Sequence, residues 1–430
     1  MTSVVAVPVD NARASDLRPA LRLAIFTSHP IQYQAPYFRA LAASDRLTPT
    51  VFFGSRHGLD ASLDTGFGTT FRWDVPLLEG YDHVFLENVA GRPDVSRFTG
   101  VRTAGMGRAL ASGRFDAVLV LGWQTAAHLQ AMRAAWSLGL PVLLRGESTL
   151  QRTAAGGAWT AVRRHLWLPI RQRLYAAAFD RVAAFLVIGS RNHEYYRSFG
   201  VSDDRCFWAP YGVDNTWFSL SEPARSLARA RVRRTIGVSD DTVVFASSAK
   251  LLARKRPTDL LDAVARLRAA GTRAHALFIG DGEERRVLER RAADLGVGEH
   301  CSITGFVNQG DLPAWYAASD ALVLPSDARE TWGLVVNEAM AAGLPVIVSD
   351  AAGCAPDLVQ EGINGSTYPC GDVAALSDRL ARIVSLGADG RRNYGDRSRT
   401  IVERFGVDIA AAATIAAADA VCAVMTRTSA

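Results

Sequence analysis

The chain has 430 residues, 49% of them hydrophobic and 21% charged, with a net charge of +5. A single core stops growing near 250–300 residues, so this length predicts two domains of about 200 residues each, and the apolar content excludes a disordered chain. The positive charge asks for an anionic partner, which could be a nucleotide, an anionic membrane surface or a nucleic acid.

The opening MTSVVAVPVDNARASDLRPA has a short apolar run with no basic residue before it and Asp10 just after it, which is not the pattern of a secretory signal. Residues 1–20 are expected to form a disordered tail. From there to residue 210, the apolar runs LRLAIFTS, FDAVLVLG, PVLLRG and FLVIGS alternate with amphipathic stretches, as βα units around a parallel sheet do. His29, in SHPIQY, stands just past the first strand, and Arg145 and Glu147, in RGES, just past a later one. The carboxyl ends of parallel strands face the ligand crevice, so these three could meet an acceptor. The alternatives are a capping or packed histidine and an Arg145–Glu147 pair that stiffens its own loop. Trp159 to Phe179, WTAVRRHLWLPIRQRLYAAAF, mixes Trp, Leu and Arg and is broken by Pro169. It reads either as a basic helix lying on anionic lipid or as a surface helix of the first domain.

At Trp208–Phe218, WAPYGVDNTWF, Pro, Gly and Asn interrupt the pattern, which places the join between domains there. Residues 211–405 repeat the design with TVVFASS, AHALFIG, CSITG, ALVLPS and PVIVSD. After FASSAK come Lys250, Arg254, Lys255 and Arg256 at a strand-to-helix turn. Cations there oppose the helix dipole, so phosphate binding is favoured over a solvated basic helix start, with Lys250 and Lys255 placed to neutralise a leaving nucleoside diphosphate. FIGDGEER lacks the third glycine of a dinucleotide fingerprint.

The strand ALVLPS runs through DARETW into a helix at about Gly333–Leu334. The first N–H groups of a helix lack internal partners and sit at its positive end, so the backbone of Gly333, Leu334 and Val335 can hold a diphosphate or a sugar oxygen. Glu330 precedes the helix and Glu338 lies about one turn inside it, so the two carboxylates would reach different ends of one ligand. A sugar ring suits Glu330 and a ribose suits Glu338; the alternative is a pair of solvated charges steadying the first helical turns. Residues 406–430, Ala-rich from Ile409 to Met425, are expected to form a terminal helix packed back on the domains, because no stretch reaches about 18 uninterrupted apolar residues. The five cysteines have no C-x-x-C pair and no histidine at metal-ligand spacing, which fits a reducing cytoplasm.

With these residues in view, the second half resembles glycosyltransferase family four, retaining enzymes of the GT-B fold. The resemblance runs through YGVD at Tyr211–Asp214, AKLLARKR at Ala249–Arg256, FIGDGEE at Phe278–Glu284, ITGFV at Ile303–Val307 and LPSDARETWGLVVNEAMAAGLPVIVSDAAG at Leu324–Gly353. HPIQY, GFGTTFRWDVPLLEGY and RGES in the first half are similar to bacterial surface-polysaccharide members. The resemblance implies that Glu330 contacts the donor sugar and is tied to catalysis, that Glu338 binds the ribose, and that Lys250 and Lys255 bind the diphosphate. It also implies that Phe306 and Val307 lie beside the base, and Trp332 is counted with Gly333, Leu334 and Val335 among the residues expected to bind the donor.

Three departures stand out. Lys250 replaces a common arginine, SHPIQY replaces a frequent glycine-rich loop, and His128 of GWQTAAH falls inside a helix, so no histidine role is carried over. The fold expected is α/β, two Rossmann-like domains facing across a cleft. The function expected is retaining transfer of a sugar from a UDP- or GDP-sugar to a saccharide acceptor, lipid-linked, in polysaccharide or glycolipid synthesis. No D-x-D motif stands beside the donor segment, so neither a metal nor another cofactor is expected. A cytoplasmic location is expected, with peripheral contact at the inner membrane face as a further expectation. Nucleic acid is not expected as a partner, because aromatic residues do not interleave the basic clusters. The competitors are a nucleotide-sugar 2-epimerase of the same architecture and a non-catalytic nucleotide-binding module.

Overall fold

The structure, a computed structural model, describes residues 20–59, 62–64, 69–150 and 173–428. The expectation for the tail, and the larger part of that for Trp159–Phe179, lie outside the described residues.

Two parallel sheets carry the fold. The first holds β1 (Leu21–Thr27), β2 (Leu47–Phe53), β5 (Asp82–Phe85), β6 (Ala117–Leu121), β7 (Val142–Arg145), β8 (Ala184–Val187) and β9 (Cys206–Trp208), in the order β5-β2-β1-β6-β7-β8-β9. A short antiparallel hairpin, β3 (Ser62–Asp64) with β4 (Thr69–Phe71), stands apart from it. The second holds β10 (Val243–Ser248), β11 (Ala274–Ile279), β12 (Cys301–Ile303), β13 (Ala321–Leu324), β14 (Val346–Ser349) and β15 (Gly365–Tyr368), in the order β12-β11-β10-β13-β14-β15. Helices cover both faces of a parallel sheet, so its inner strands read as nearly unbroken apolar runs, and AVLVL of β6 and AHALFI of β11 are buried at every position.

In both sheets the direction of winding reverses beside the first strand, between β1 and β6 and between β10 and β13. Strand ends diverge at such a reversal and leave a crevice for ligand. SHPIQY follows β1, the four cations follow β10, and Glu330 follows β13, so the residues picked out by chemistry stand at the two crevices that topology alone would choose.

The chain leaves the first sheet at Trp208 and contributes Tyr211, Val213 and Phe218 to a core shared with β10, β11, β13 and β14. It returns through the helix Val407–Thr428, whose Ala410, Ala411, Ala417, Ala418 and Val421 pack among Leu23, Phe38 and Leu186 of the first core. Gly387 to Val424 is long and apolar enough to cross a membrane, but it is interrupted by a turn at Glu403–Phe405, and its small residues are the ones that let the last helix lie close on the sheet. Thr414 fixes the register of that helix. Its hydroxyl donates to the Ala410 carbonyl at 2.7 Å, so the Tyr37 hydroxyl is the donor in the 2.7 Å bond between the two side chains. Thr414→Val should destabilise the protein by about 1–3 kcal/mol in denaturant titration, because it strands a buried phenol; an unchanged midpoint would show that the helix docks through its alanines alone.

The basic helix Glu222–Thr235 is only partly a solvated face. Arg233, 2% exposed, and Arg229 both bind Asp320, at 2.6 and 2.9 Å, and Asp320 also accepts from the Val244 N–H at 2.8 Å. Part of the chain's positive charge is therefore spent inside the second domain instead of being offered to a partner.

Candidate functional site

The loop after β10 tightens into a turn at Ala253–Lys255, and Arg256 then adopts a left-handed backbone, φ 48°, before Pro257 opens the next helix. Arg256 grips Asp259 in that helix at 2.7 and 3.1 Å, so one of the four cations is structural. Lys255 points the other way and ion-pairs with Glu330. The loops after β10 and β13 are joined a second time where the Asp327 N–H donates to the Arg254 carbonyl at 2.9 Å.

Glu330 is 12% exposed and Lys255 14%. Burial by itself would raise the Glu330 pKa, but the Lys255 ammonium, its hydrogen bond and the nearby Arg254 outweigh it and hold Glu330 ionised below its ordinary range. Just past it, Gly333 takes φ +108°, a conformation costly to any side chain, and a Cβ there would meet Leu324 at 2.6 Å. A Cβ on Gly333 would also lie 3.7 Å from the Glu330 side chain, so the helix Leu334–Ala341 starts beside the Glu330–Lys255 pair, with Leu334 and Val335 half-buried.

Glu338, one turn in, is 8% exposed and accepts from the Tyr316 hydroxyl at 2.6 Å. Burial pushes its pKa up to about 7, against the hydrogen bonds from Tyr316 and Gln309. The two carboxylates thus have separate partners and opposite electrostatics. Glu330 is a fixed anion beside a cation, whereas Glu338 is an acid poised near neutrality.

Trp332, expected among the donor-binding residues, is instead buried away from any ligand surface. Its indole is 2% exposed and donates to the Asn337 side chain at 2.8 Å, while Asn337 donates to the Tyr211 carbonyl at 3.1 Å. It packs edge-on to Tyr211 and tilted against Phe405, so it ties the two chain crossings to the helix Leu334–Ala341 from inside. An indole is too large and apolar to leave at this junction without being swallowed by it.

Phe306 and Val307, both half-buried, lie in the loop after β12. The first domain reaches across to this loop. The Asn308 amide donates to the Arg72 carbonyl at 2.7 Å, the Gly310 N–H donates to the Asp74 carboxylate at 3.1 Å, and the Trp73 and Phe306 rings meet at 6.3 Å. Gln309, in the same loop, is the residue that reaches Glu338. Lys250 follows β10 and is half-buried.

On the first domain, His29 is half-buried with Nδ1 2.9 Å from the Ser28 hydroxyl and its ring edge-on to His57. Burial, then the neighbouring His57 and His128, depress its pKa to about 4, so it stands neutral in the crevice. His128 is a packed histidine. Its Nε2 donates to the Leu121 carbonyl at 3.0 Å, and its Nδ1 accepts from Thr125 at 2.7 Å in a capping box.

Arg145 corrects both readings given to it. It pairs with neither an open crevice nor Glu147; its guanidinium donates to the carbonyls of Ala209 and Pro210, at 3.3 and 3.0 Å, between the rings of Tyr37 and Tyr211. The carbonyls of the crossing need a donor, and a planar cation fits between two phenol faces. Glu147 instead accepts from the Tyr211 hydroxyl and remains half-buried at the crevice. The tight G-x-G of FIGDGEER serves packing: a Cβ on Gly280 or Gly282 would strike the carbonyls of Ala249 and Leu251, the turn that leads to Lys255. Tyr316 was the residue missed by sequence reasoning. No spacing linked it to Glu338; the bond joins residues 22 apart in sequence, one in the helix Leu312–Ala318 and the other in the helix Leu334–Ala341.

Residues 229–400 match the family model described as glycosyl transferases group 1, a span that holds Lys250, Lys255, Phe306, Val307 and Glu330–Glu338. The GDP-mannose-dependent alpha-(1-6)-phosphatidylinositol monomannoside mannosyltransferase of Mycolicibacterium smegmatis is 34% identical over 195 residues, 42% of this chain and 50% of that protein. The chain thus spans about half the length of the curated relatives it matches. Among solved structures, a glycosyltransferase from Rickettsia africae superposes with a TM-score of 0.69 at 13% identity, covering 94% of this chain and 99% of that one. The Anabaena HepE protein in complex with UDP does so at 0.68 and 19%, covering 91% and 97%. These likenesses over nearly the whole chain show the GT-B fold, two parallel-sheet α/β domains.

Proposed function

We propose that this chain is a metal-independent, retaining glycosyltransferase that moves a sugar from a UDP- or GDP-sugar to a saccharide acceptor, lipid-linked, in glycolipid or polysaccharide synthesis. The observation that carries the reading is the Glu330–Lys255 pair at the crevice of the second sheet, beside the start of a helix that holds Glu338 one turn further in. A nucleoside diphosphate needs cations and N–H groups for its phosphates, and a sugar and a ribose need acceptors for their hydroxyls. Lys255, Lys250 and the first turn of the donor helix supply the former, Glu330 and Glu338 the latter. The group 1 match over this segment and the mannosyltransferase and UDP-bound likenesses support the same donor class.

In this reading Lys250, Lys255 and the helix N-terminus stabilise charge on the departing diphosphate, and the acceptor hydroxyl attacks from the face that the leaving group vacates and passes its proton to the departing phosphate. His29 and Glu147, on the opposite domain, face the acceptor; a neutral imidazole and an anchored carboxylate serve there as hydrogen-bond partners for hydroxyls. The deciding experiment incubates the protein with UDP-glucose or GDP-mannose, with and without saccharide and glycolipid acceptors, and analyses anomeric products by NMR. Acceptor-dependent release of nucleoside diphosphate with retained configuration is expected. A new nucleotide sugar formed without acceptor would establish the epimerase instead, and binding without turnover would establish a nucleotide-binding module.

A further inference from the structure

The loop behind Glu330 is held from the other domain. The helix Ser190–Arg197 of the first domain meets the segment between β14 and the helix Ala355–Leu358 of the second. There the Arg191 guanidinium donates to two backbone carbonyls, Asp350 at 2.5 Å and Ala352 at 2.7 Å. Beside it, the Ser190 N–H and hydroxyl donate to the Asp357 carboxylate.

The other side of the same loop touches the donor segment. The Gly353 N–H donates to the Glu330 carbonyl at 2.9 Å, and the Cys354 N–H donates to the Trp332 carbonyl at 3.1 Å. The contact is close enough that a Cβ on Gly353 would lie 1.9 Å from the Thr331 carbonyl oxygen, so the loop cannot shift without shifting Glu330–Trp332. One thin layer of backbone, 350–354, is therefore clamped between an arginine of one domain and the backbone that carries the Glu330 carboxylate of the other.

We propose that Arg191 is a positioning residue for the transfer reaction: it reaches from the first domain and, through the loop Asp350–Cys354, fixes where Glu330 stands against the donor sugar. The proposal rests on the functional reading given above for Glu330. Its chemistry is simple. A guanidinium fork satisfies two carbonyls at once and so defines the loop's position and tilt, which a single donor cannot do. The two carbonyls that Arg191 binds belong to the loop behind Glu330, at the reacting end of the donor, so nucleotide affinity should not depend on it. The reacting end of the donor is thereby tied to the docking of the two domains at this seam, separately from the contacts that Arg72–Asp74 make with the loop Phe306–Gly310.

Arg191→Ala is expected to lower kcat by about ten- to a hundredfold, as a slight misplacement of a reacting group does, with UDP and GDP affinities by calorimetry within about twofold of the unaltered chain. Arg191→Lys should recover part of the loss, since an ammonium can serve one carbonyl. Amide hydrogen exchange at Gly353 and Cys354 should quicken in Arg191→Ala, a readout independent of turnover. Ser190→Ala, which weakens the same seam without touching the loop carbonyls, should keep kcat near normal and leave exchange at Gly353 unchanged. Unchanged exchange at Gly353 in Arg191→Ala, or an equal loss of kcat in Ser190→Ala, would overturn the positioning role while leaving the transferase reading intact. Quickened exchange in a chain that transfers no sugar from any donor would sink the transferase reading instead, and the catalytic meaning of Arg191 with it.

Discussion

Replacing Glu330 by Gln is expected to lower kcat by about 10²–10³-fold while leaving UDP or GDP affinity within about threefold. The amide keeps the size and one acceptor oxygen, so the crevice retains its shape. What is lost is the anion that the Lys255 ammonium and nearby Arg254 keep ionised in spite of burial, and with it the charge-assisted acceptor for a donor-sugar hydroxyl. The freed Lys255 then binds ground-state phosphate at least as well, which moves the effect onto turnover. Steady-state kinetics with donor varied, paired with calorimetry on the nucleotide alone, separates the two. An equal, mild loss in both would mean that Glu330 is only a counter-ion for Lys255. As a stability element the sign is the ordinary one for a depressed carboxyl: its contribution is present above the unfolded pKa and is lost as pH falls through the folded one.

In the proposed reading, Glu338→Ala should act at the opposite end of the same ligand, weakening UDP or GDP by about 10²-fold, because an acceptor for ribose hydroxyls is removed and the buried Tyr316 hydroxyl loses its partner. Here pH gives a second handle. Burial places the Glu338 pKa at about 7, so the carboxylate that accepts from ribose fills in as pH rises from 6 to 8, and nucleotide affinity should rise with it. Glu338→Gln should bind weakly and with no such slope. Folding responds in the reverse direction. The folded carboxyl holds its proton more tightly than the unfolded one at 4.5, so its contribution is complete below about 4.5 and is lost as pH climbs towards 7. The ligand-free Glu338→Gln variant should therefore gain stability on the unaltered chain at pH 8, on the order of 3 kcal/mol at most. A flat affinity profile in the unaltered protein would move Glu338 out of the ribose site.

Much of this was legible in the sequence. Parallel strands buried on both faces announce themselves as apolar runs, and the helix beginning at Leu334 is signalled by a glycine that only a sharp turn needs. The Glu330–Lys255 pairing was not read from the sequence, where the two residues carry separate ligand roles; it appears once the winding order makes the strands before their loops neighbours. Trp332 was misplaced because its sequence neighbours were read as donor residues, whereas its spatial neighbours, Tyr211 and Phe405, come from the two chain crossings. Arg145 was misplaced for the same reason: its partners are backbone carbonyls at 209 and 210, which carry no side-chain signature at all. Tyr316 and Arg191 stayed silent because each acts across a gap in sequence that only the docking of helices, or of whole domains, closes.

The return of the helix Val407–Thr428 to the first sheet has a consequence for how the protein comes into being. On the ribosome, residues 21–210 emerge early, but the surface around Leu23, Phe38 and Leu186 that Ala410, Ala417 and Val421 cover has no cover until the second domain has been made. The first domain must wait, part-built and with an apolar flank open, while its neighbour folds beside it. Tyr37 waits with it, its phenol without Thr414 until that helix arrives. The domain begun first is thus the one finished last.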